Sequence, residues 1–79
     1  MHINLNAMGT RMKRRRKELK MSQAELAEKV NVSNNHISSI ETGKQIPSLT
    51  TFVKICEQLD TTPDFLLLGS LHTDNLPKN

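Results

Sequence analysis

The stretch Ser22-Gln23-Ala24-Glu25-Leu26-Ala27-Glu28-Lys29-Val30-Asn31-Val32-Ser33-Asn34-Asn35-His36-Ile37-Ser38-Ser39-Ile40 decides the fold. Ser22 with Glu25 three residues on is a capping box: the hydroxyl takes the Glu25 amide and the carboxylate returns to the Ser22 amide. A helix therefore starts at Gln23, with Leu26, Ala27 and Val30 on one face. It ends at Asn31, the residue after glycine that best tolerates left-handed backbone. Val32 is a lone apolar residue, and Ser33 is the next N-cap. The following helix runs from about Asn34 to Thr42, with Gly43 just past its end.

Two short helices joined this tightly must cross steeply. Ala27 faces the joint and is small enough to allow close approach, while Val30, Val32, Ile37 and Ile40 plug the angle. Such a pair is a helix-turn-helix, whose second helix can enter a DNA major groove.

Upstream, Leu5, Met8, Met12 and Leu19 recur at roughly helical spacing, with a basic run filling the gaps. Arg15 and Arg16 stand where that stripe should continue. Downstream, Ile46-Pro47-Ser48 breaks the chain and Ser48 caps a further helix. Its stripe is Leu49, Phe52, Val53, Cys56 and Leu59, with Ile55 flanking. Thr62-Pro63-Asp64 supplies a cap, a proline at the first helical position and an acid in the first turn. The last helix then spans Pro63 to Leu68 and closes at Gly69. Nothing periodic follows, so residues 70–79 read as a flexible C-terminal tail and residues 1–69 as the domain. With no alternating strand pattern, the expected fold class is all-α, built from five short helices.

Seventy-nine residues suffice for one core and exclude a large barrel or a doubly wound sheet. Two phenylalanines and no Trp or Tyr make that core aliphatic. Cys56, the single cysteine, has no partner for an internal disulfide and reads as a small buried hydrophobe. Met8, Met12 and Met21 read as core, and His36 as a flank residue with a packing or backbone role. No metal or other cofactor is expected. Gly-rich phosphate loops, paired catalytic carboxylates and metal-ligand spacings are missing from the sequence, which argues against an enzyme. The start carries no secretory pattern and no apolar run could span a membrane, so a cytoplasmic location is expected, with no membrane partner.

Formal charge is +3, but seven of the eleven Lys and Arg residues lie between Arg11 and Lys20 with only Glu18 among them. This local excess suggests one basic face, suited to a polyanion, although such a run can equally be a solvated helix face. Of its members, Arg11, Lys13 and Arg14 are the better phosphate candidates.

A helical wheel at about 100° per residue sorts the helix after Ser33 around Ile37 and Ile40. Asn35, Thr42, Ser38 and Ser39 point away from the core, and Asn34 sits near the amino end. A merely solvated face would favour Lys, Glu and stronger helix formers. Asn can pair with adenine through two hydrogen bonds, and Ser and Thr serve either donor or acceptor edges. Glu41 falls beside the apolar sector, where a carboxylate needs a partner. Arg16 is the candidate, giving an ion pair that clamps the first helix to the end of the third.

These residues resemble the helix-turn-helix regulators of the phage repressor and Cro type, the XRE family. The resemblance rests on Met21 to Val30, Ile37-Ser38-Ser39-Ile40-Glu41-Thr42-Gly43-Lys44, Pro47-Ser48-Leu49 and Pro63-Asp64-Phe65-Leu66-Leu67. It implies that Ser33, Asn34, Asn35 and Ser39 read bases, with Ser38 adjacent. It implies that Gln23 touches a phosphate, that Thr42 and Lys44 meet the backbone, and that Arg16 and Glu41 form the family's clamp. It further implies a homodimer through the last helix, here Phe65, Leu68 and Leu71. Asn31 and Lys20 depart from glycines common in the family, and Arg15 from a common leucine. The expected function is a sequence-specific transcriptional regulator, a repressor, binding double-stranded DNA at a pseudo-palindromic operator. Rival readings are an antitoxin whose main partner is a toxin, and the controller of a restriction–modification system; an activator would add polymerase as a partner.

Overall fold

In the computed structural model, which describes residues 2–67 and 71–72, every helix begins at a side chain that accepts a backbone N–H. Asn4 Oδ1 takes the Ala7 amide and opens α1 (Leu5–Glu18). Ser22 and Glu25 form the full capping box of α2 (Gln23–Val30). Ser33 caps α3 (Asn34–Glu41), Ser48 caps α4 (Leu49–Gln58), and Thr62 Oγ1 accepts from Phe65 in α5 (Pro63–Leu67). These caps satisfy amides that the helices cannot satisfy themselves. The expected boundaries shift slightly: Thr42 caps α3 instead of continuing it, and Leu19 caps α1 and is half-exposed. Leu68 and Gly69, the expected close of the last helix, lie outside the described residues.

Four helices also end alike. Lys20, Asn31, Gly43 and Asp60 have φ of 57°, 60°, 78° and 50°. The next residue's amide reaches back five positions each time: Met21 to Arg16, Val32 to Ala27, Lys44 to Ser39, Thr61 to Cys56. This is the Schellman ending, which satisfies a terminal carbonyl and reverses the chain within two residues. Only one of the four uses glycine, so three side chains sit in a conformation that crowds their Cβ.

The core is aliphatic and sulfur-rich: Met8, Met12, Leu26, Val30, Ile37, Ile40, Ile55, Leu59 and Leu66 are buried, and Met21 packs against them. Helix α3 packs on α1 and α2, α4 on α2, and α5 on α1 and α4. The α4 stripe read from sequence needs correcting. Ile55 is fully buried, whereas Leu49 is 78% and Val53 43% exposed. Phe52, Ile55, Cys56 and Leu59 form an equally regular stripe, and the position of α2 selects it.

Two further differences concern α1 and the termini. Gly9 lies where α1 crosses the end of α3, and a Cβ there would stand 2.6 Å from the Ile40 carbonyl oxygen and meet that of Glu41 as well. Backbone against backbone cannot yield cheaply. Within the stretch expected to be a flexible tail, the two described residues are paired: β2 (Leu71–His72) forms an antiparallel ladder with β1 (His2–Ile3). Ladder formation needs only backbone groups, so two residues can pair without an alternating pattern. No helix among the described residues is long and apolar enough to cross a membrane.

Gly9→Ala is expected to destabilise the domain by about 1–3 kcal/mol through overpacking. Lys20→Gly should stabilise it by about 0.5–1 kcal/mol, the left-handed penalty less glycine's unfolded-state entropy. Thermal melts read both: the first midpoint falls, and the second rises by several degrees.

Candidate nucleic-acid interface

The site is assembled around two charges buried between α1 and α3. Arg16 Nε and Nη2 donate to Glu41 Oε2 and Oε1 at 2.7 and 3.0 Å, a bidentate pair. The two side chains keep only 7% and 1% of their accessible surface. Arg16 Nη1 donates to the Met21 carbonyl at 2.7 Å. Glu41 Oε1 also accepts from Gln23 Nε2 at 3.0 Å. Among the described residues, no buried side-chain nitrogen or oxygen lacks a partner. The network therefore joins the end of α1, the loop after it, the start of α2 and the end of α3.

Held from behind in this way, α3 turns its polar face outward. Asn34 and Asn35 are exposed, and Ser38 and Ser39 are half-buried along the same surface. Ser33 is exposed too, although its hydroxyl oxygen accepts the His36 amide, which leaves the O–H free to donate. Ser33, Asn35 and Ser39 line one concavity with Val32, His36 and Gln45. Lys44, in the loop after α3, is exposed.

Several expected contacts are placed differently. Gln23 gives one of its two side-chain N–H groups to Glu41, so it braces the buried pair and keeps its second N–H and its carbonyl oxygen. Thr42 turns its hydroxyl back to the Ser38 and Ser39 carbonyls at 3.0 and 3.3 Å and its amide to Ser38, so both of its donors are used inside the helix end. Arg11, expected at a phosphate, lies over the Phe65 ring, 5.4 Å from its centroid, in cation–π contact on the side of α1 that meets α5. Arg14 remains exposed on α1. Phe65, expected at a dimer contact, is 38% exposed and shares its ring with Arg11. Leu68 lies outside the described residues, and Leu71 belongs to β2.

Three roles escaped the reading of the chain. Arg15 donates from Nε to the Leu59 carbonyl at 2.8 Å and from Nη2 to that of Asp60 at 3.4 Å, a cation on the carboxyl end of α4. Gly9 admits the close crossing of α1 and α3; a glycine interrupting a helical pattern was the available signal. His36 Nδ1 lies 2.8 Å from Gln45 Oε1, tying α3 to the loop beyond it.

Among the described residues, two ionisable groups outside this network are shifted. The Ser22 amide and hydroxyl hold the Glu25 carboxyl below its ordinary value of 4.5. Burial in α4 raises the Cys56 thiol.

Comparison with protein families matches residues 12–66 to the one described as Helix-turn-helix. Repressor protein C2 of Salmonella phage P22 is 38% identical over 74 residues, which is 94% of this chain and 34% of that protein. This chain spans between a third and a half of the length of the curated relatives it matches. The P22 c2 repressor in complex with a synthetic operator superposes with a TM-score of 0.75 at 40% identity, over 78% of this chain and 94% of that one. The restriction–modification controller C.AhdI from Aeromonas hydrophila superposes at 0.74 with 27% identity, over 78% of this chain and 94% of that one.

Removing one partner of the buried pair, by Arg16→Ala or Glu41→Ala, is expected to cost about 3–5 kcal/mol. The joint replacement Arg16→Met with Glu41→Leu should cost less than either, because no charge is left stranded. Urea titrations give the three values, and a double variant no more stable than the singles would refute this account of the network. Glu25 contributes to stability fully above pH 4.5, and that contribution is lost as pH falls through its lower folded value. Following its carboxyl resonance by NMR should show titration below 4.5, moved upward by Ser22→Ala.

Proposed function

The chain belongs to the helix-turn-helix family, and on that premise we propose that it is a sequence-specific transcriptional repressor that inserts α3 into the major groove of duplex DNA. The observation that carries this reading is the outward face of α3, where Asn34, Asn35, Ser38 and Ser39 lie on a helix braced by the Arg16–Glu41 pair. Short amide and hydroxyl groups on a rigid helix match base edges, and rigidity lowers the ordering cost of binding. Ser33 joins this reading set through its free O–H. Lys44 and Arg14 supply phosphate contacts, which position the helix without reading sequence. The P22 c2 repressor bound to its operator supports the same docking here.

The protein acts as a homodimer in this proposal, with half-sites about 10–11 bp apart, as two-fold symmetry over one helical turn requires. Repression follows by occlusion of a promoter. The controller reading keeps a place for one reason: the match to this chain covers 94% of the C.AhdI chain. It differs in the genes controlled, not in how α3 would read its site.

Selection from a randomised duplex pool at physiological salt tests the proposal, and enrichment of one inverted repeat is the expected outcome. Binding that enriches no sequence would overturn it. On the selected site, Asn35→Ala should cost about 1–3 kcal/mol and change affinity for random duplex little. Lys44→Ala should weaken both alike and lower the salt slope by about one. Equal behaviour of the two variants on both duplexes would refute the division into readers and anchors.

A further inference from the structure

His36 and Gln45, which tie α3 to the loop after it, also line the same concavity as Ser33, Asn35 and Ser39. Gln45 lies in the loop after α3, with its amide on the Ser39 carbonyl at 3.2 Å, so its backbone is fixed to the reading helix. His36 Nδ1 meets Gln45 Oε1 at 2.8 Å. A carboxamide oxygen can only accept, so Nδ1 carries the proton and donates. That contact turns Oε1 of Gln45 towards the ring and so directs its NH2 group, a donor only, away from His36 within the concavity shared with Asn35 and Ser39. A long side chain that would otherwise sample many rotamers is held in one of them before any ligand arrives.

We propose that Gln45, held by His36, is a specificity-determining residue that donates to an acceptor on a base edge and rejects cytosine at one position of the DNA site. Guanine, adenine and thymine each present an acceptor in the major groove, whereas cytosine presents only its amino donor. Cytosine there would leave two donors facing each other. His36 is the positioning residue: it touches no base and acts by holding Oε1 on its own side, which fixes the orientation of the amide. The inference rests on α3 reading a major groove, as proposed above.

The test compares base preferences of the full chain and four variants by selection from a randomised duplex pool. The wild-type chain should deplete cytosine about fivefold at one position, as the net worth of a single neutral hydrogen bond implies. Gln45→Ala and His36→Ala should both lose that depletion at the same position and leave the other preferences unchanged, each assayed below its own thermal midpoint. His36→Asn keeps a donor at the same distance from the backbone as Nδ1 and should retain the preference. Gln45→Glu, an acceptor only, should enrich cytosine instead. A uniform loss of affinity in Gln45→Ala would mean a phosphate contact and would overturn the proposal, as would an unchanged profile. A change in Gln45→Ala but none in His36→Ala overturns the role of His36. A wild-type chain that enriches no sequence overturns the parent reading and this inference together, which separates that failure from the others.

Discussion

Everything that presents α3 to a ligand depends on a carboxylate, Glu41, being kept charged and out of water. An isolated buried carboxylate is too costly to persist, so its surroundings must be complete. Arg16 fills both oxygens, Gln23 adds a third hydrogen bond, and the Met21 carbonyl takes up another guanidinium donor. Because the donors come from α1 and α2 and the acceptor from α3, satisfying one charge sets the relative placement of three helices. Apolar contacts between Ile37, Ile40, Leu26 and Met12 supply attraction but little direction. The bidentate geometry supplies the direction.

Gly9 and Arg16 lie two helical turns apart on one face of α1, and both meet the end of α3. The glycine lets the helices touch backbone to backbone, and the arginine joins them by charge. On the neighbouring face, Arg15 donates to the end of α4 and Arg11 covers Phe65 of α5. The basic run that reads as a polyanion-binding surface is thus divided. Three of its arginines, 11, 15 and 16, hold the fold together, and the exposed Lys13, Arg14, Lys17 and Lys20 remain for solvent or phosphate. A count of positive charge therefore overstates what this face can offer a duplex.

Asn35, Ser39 and Gln45 converge on one surface by different routes. The first two follow from helical periodicity once the core side of α3 is known. Gln45 reaches it only because the chain leaves α3 through left-handed Gly43 and turns back, with Lys44 and Gln45 both bonded to the Ser39 carbonyl. The Schellman ending of α3 is in this sense part of the candidate site.

The sequence by itself determined the five helices, their starts at Ser22, Ser33, Ser48 and Thr62, the turn through Asn31, the outward face of α3 and the pairing of Arg16 with Glu41. Caps and turns are satisfied within three to five residues, so they are legible wherever the residue types permit them. The ion pair was legible because a carboxylate beside an apolar sector has few acceptable partners. The tertiary structure alone decided which of two stripes α4 buries, that Gln23 braces Glu41, that Arg15 and Arg11 turn towards α4 and α5, and that Gly9 marks a helix crossing. Long side chains have several partners within reach, and α4 offers two equally regular apolar faces. Only the assembled packing, by removing one set of groups from water and leaving another in it, selects among them.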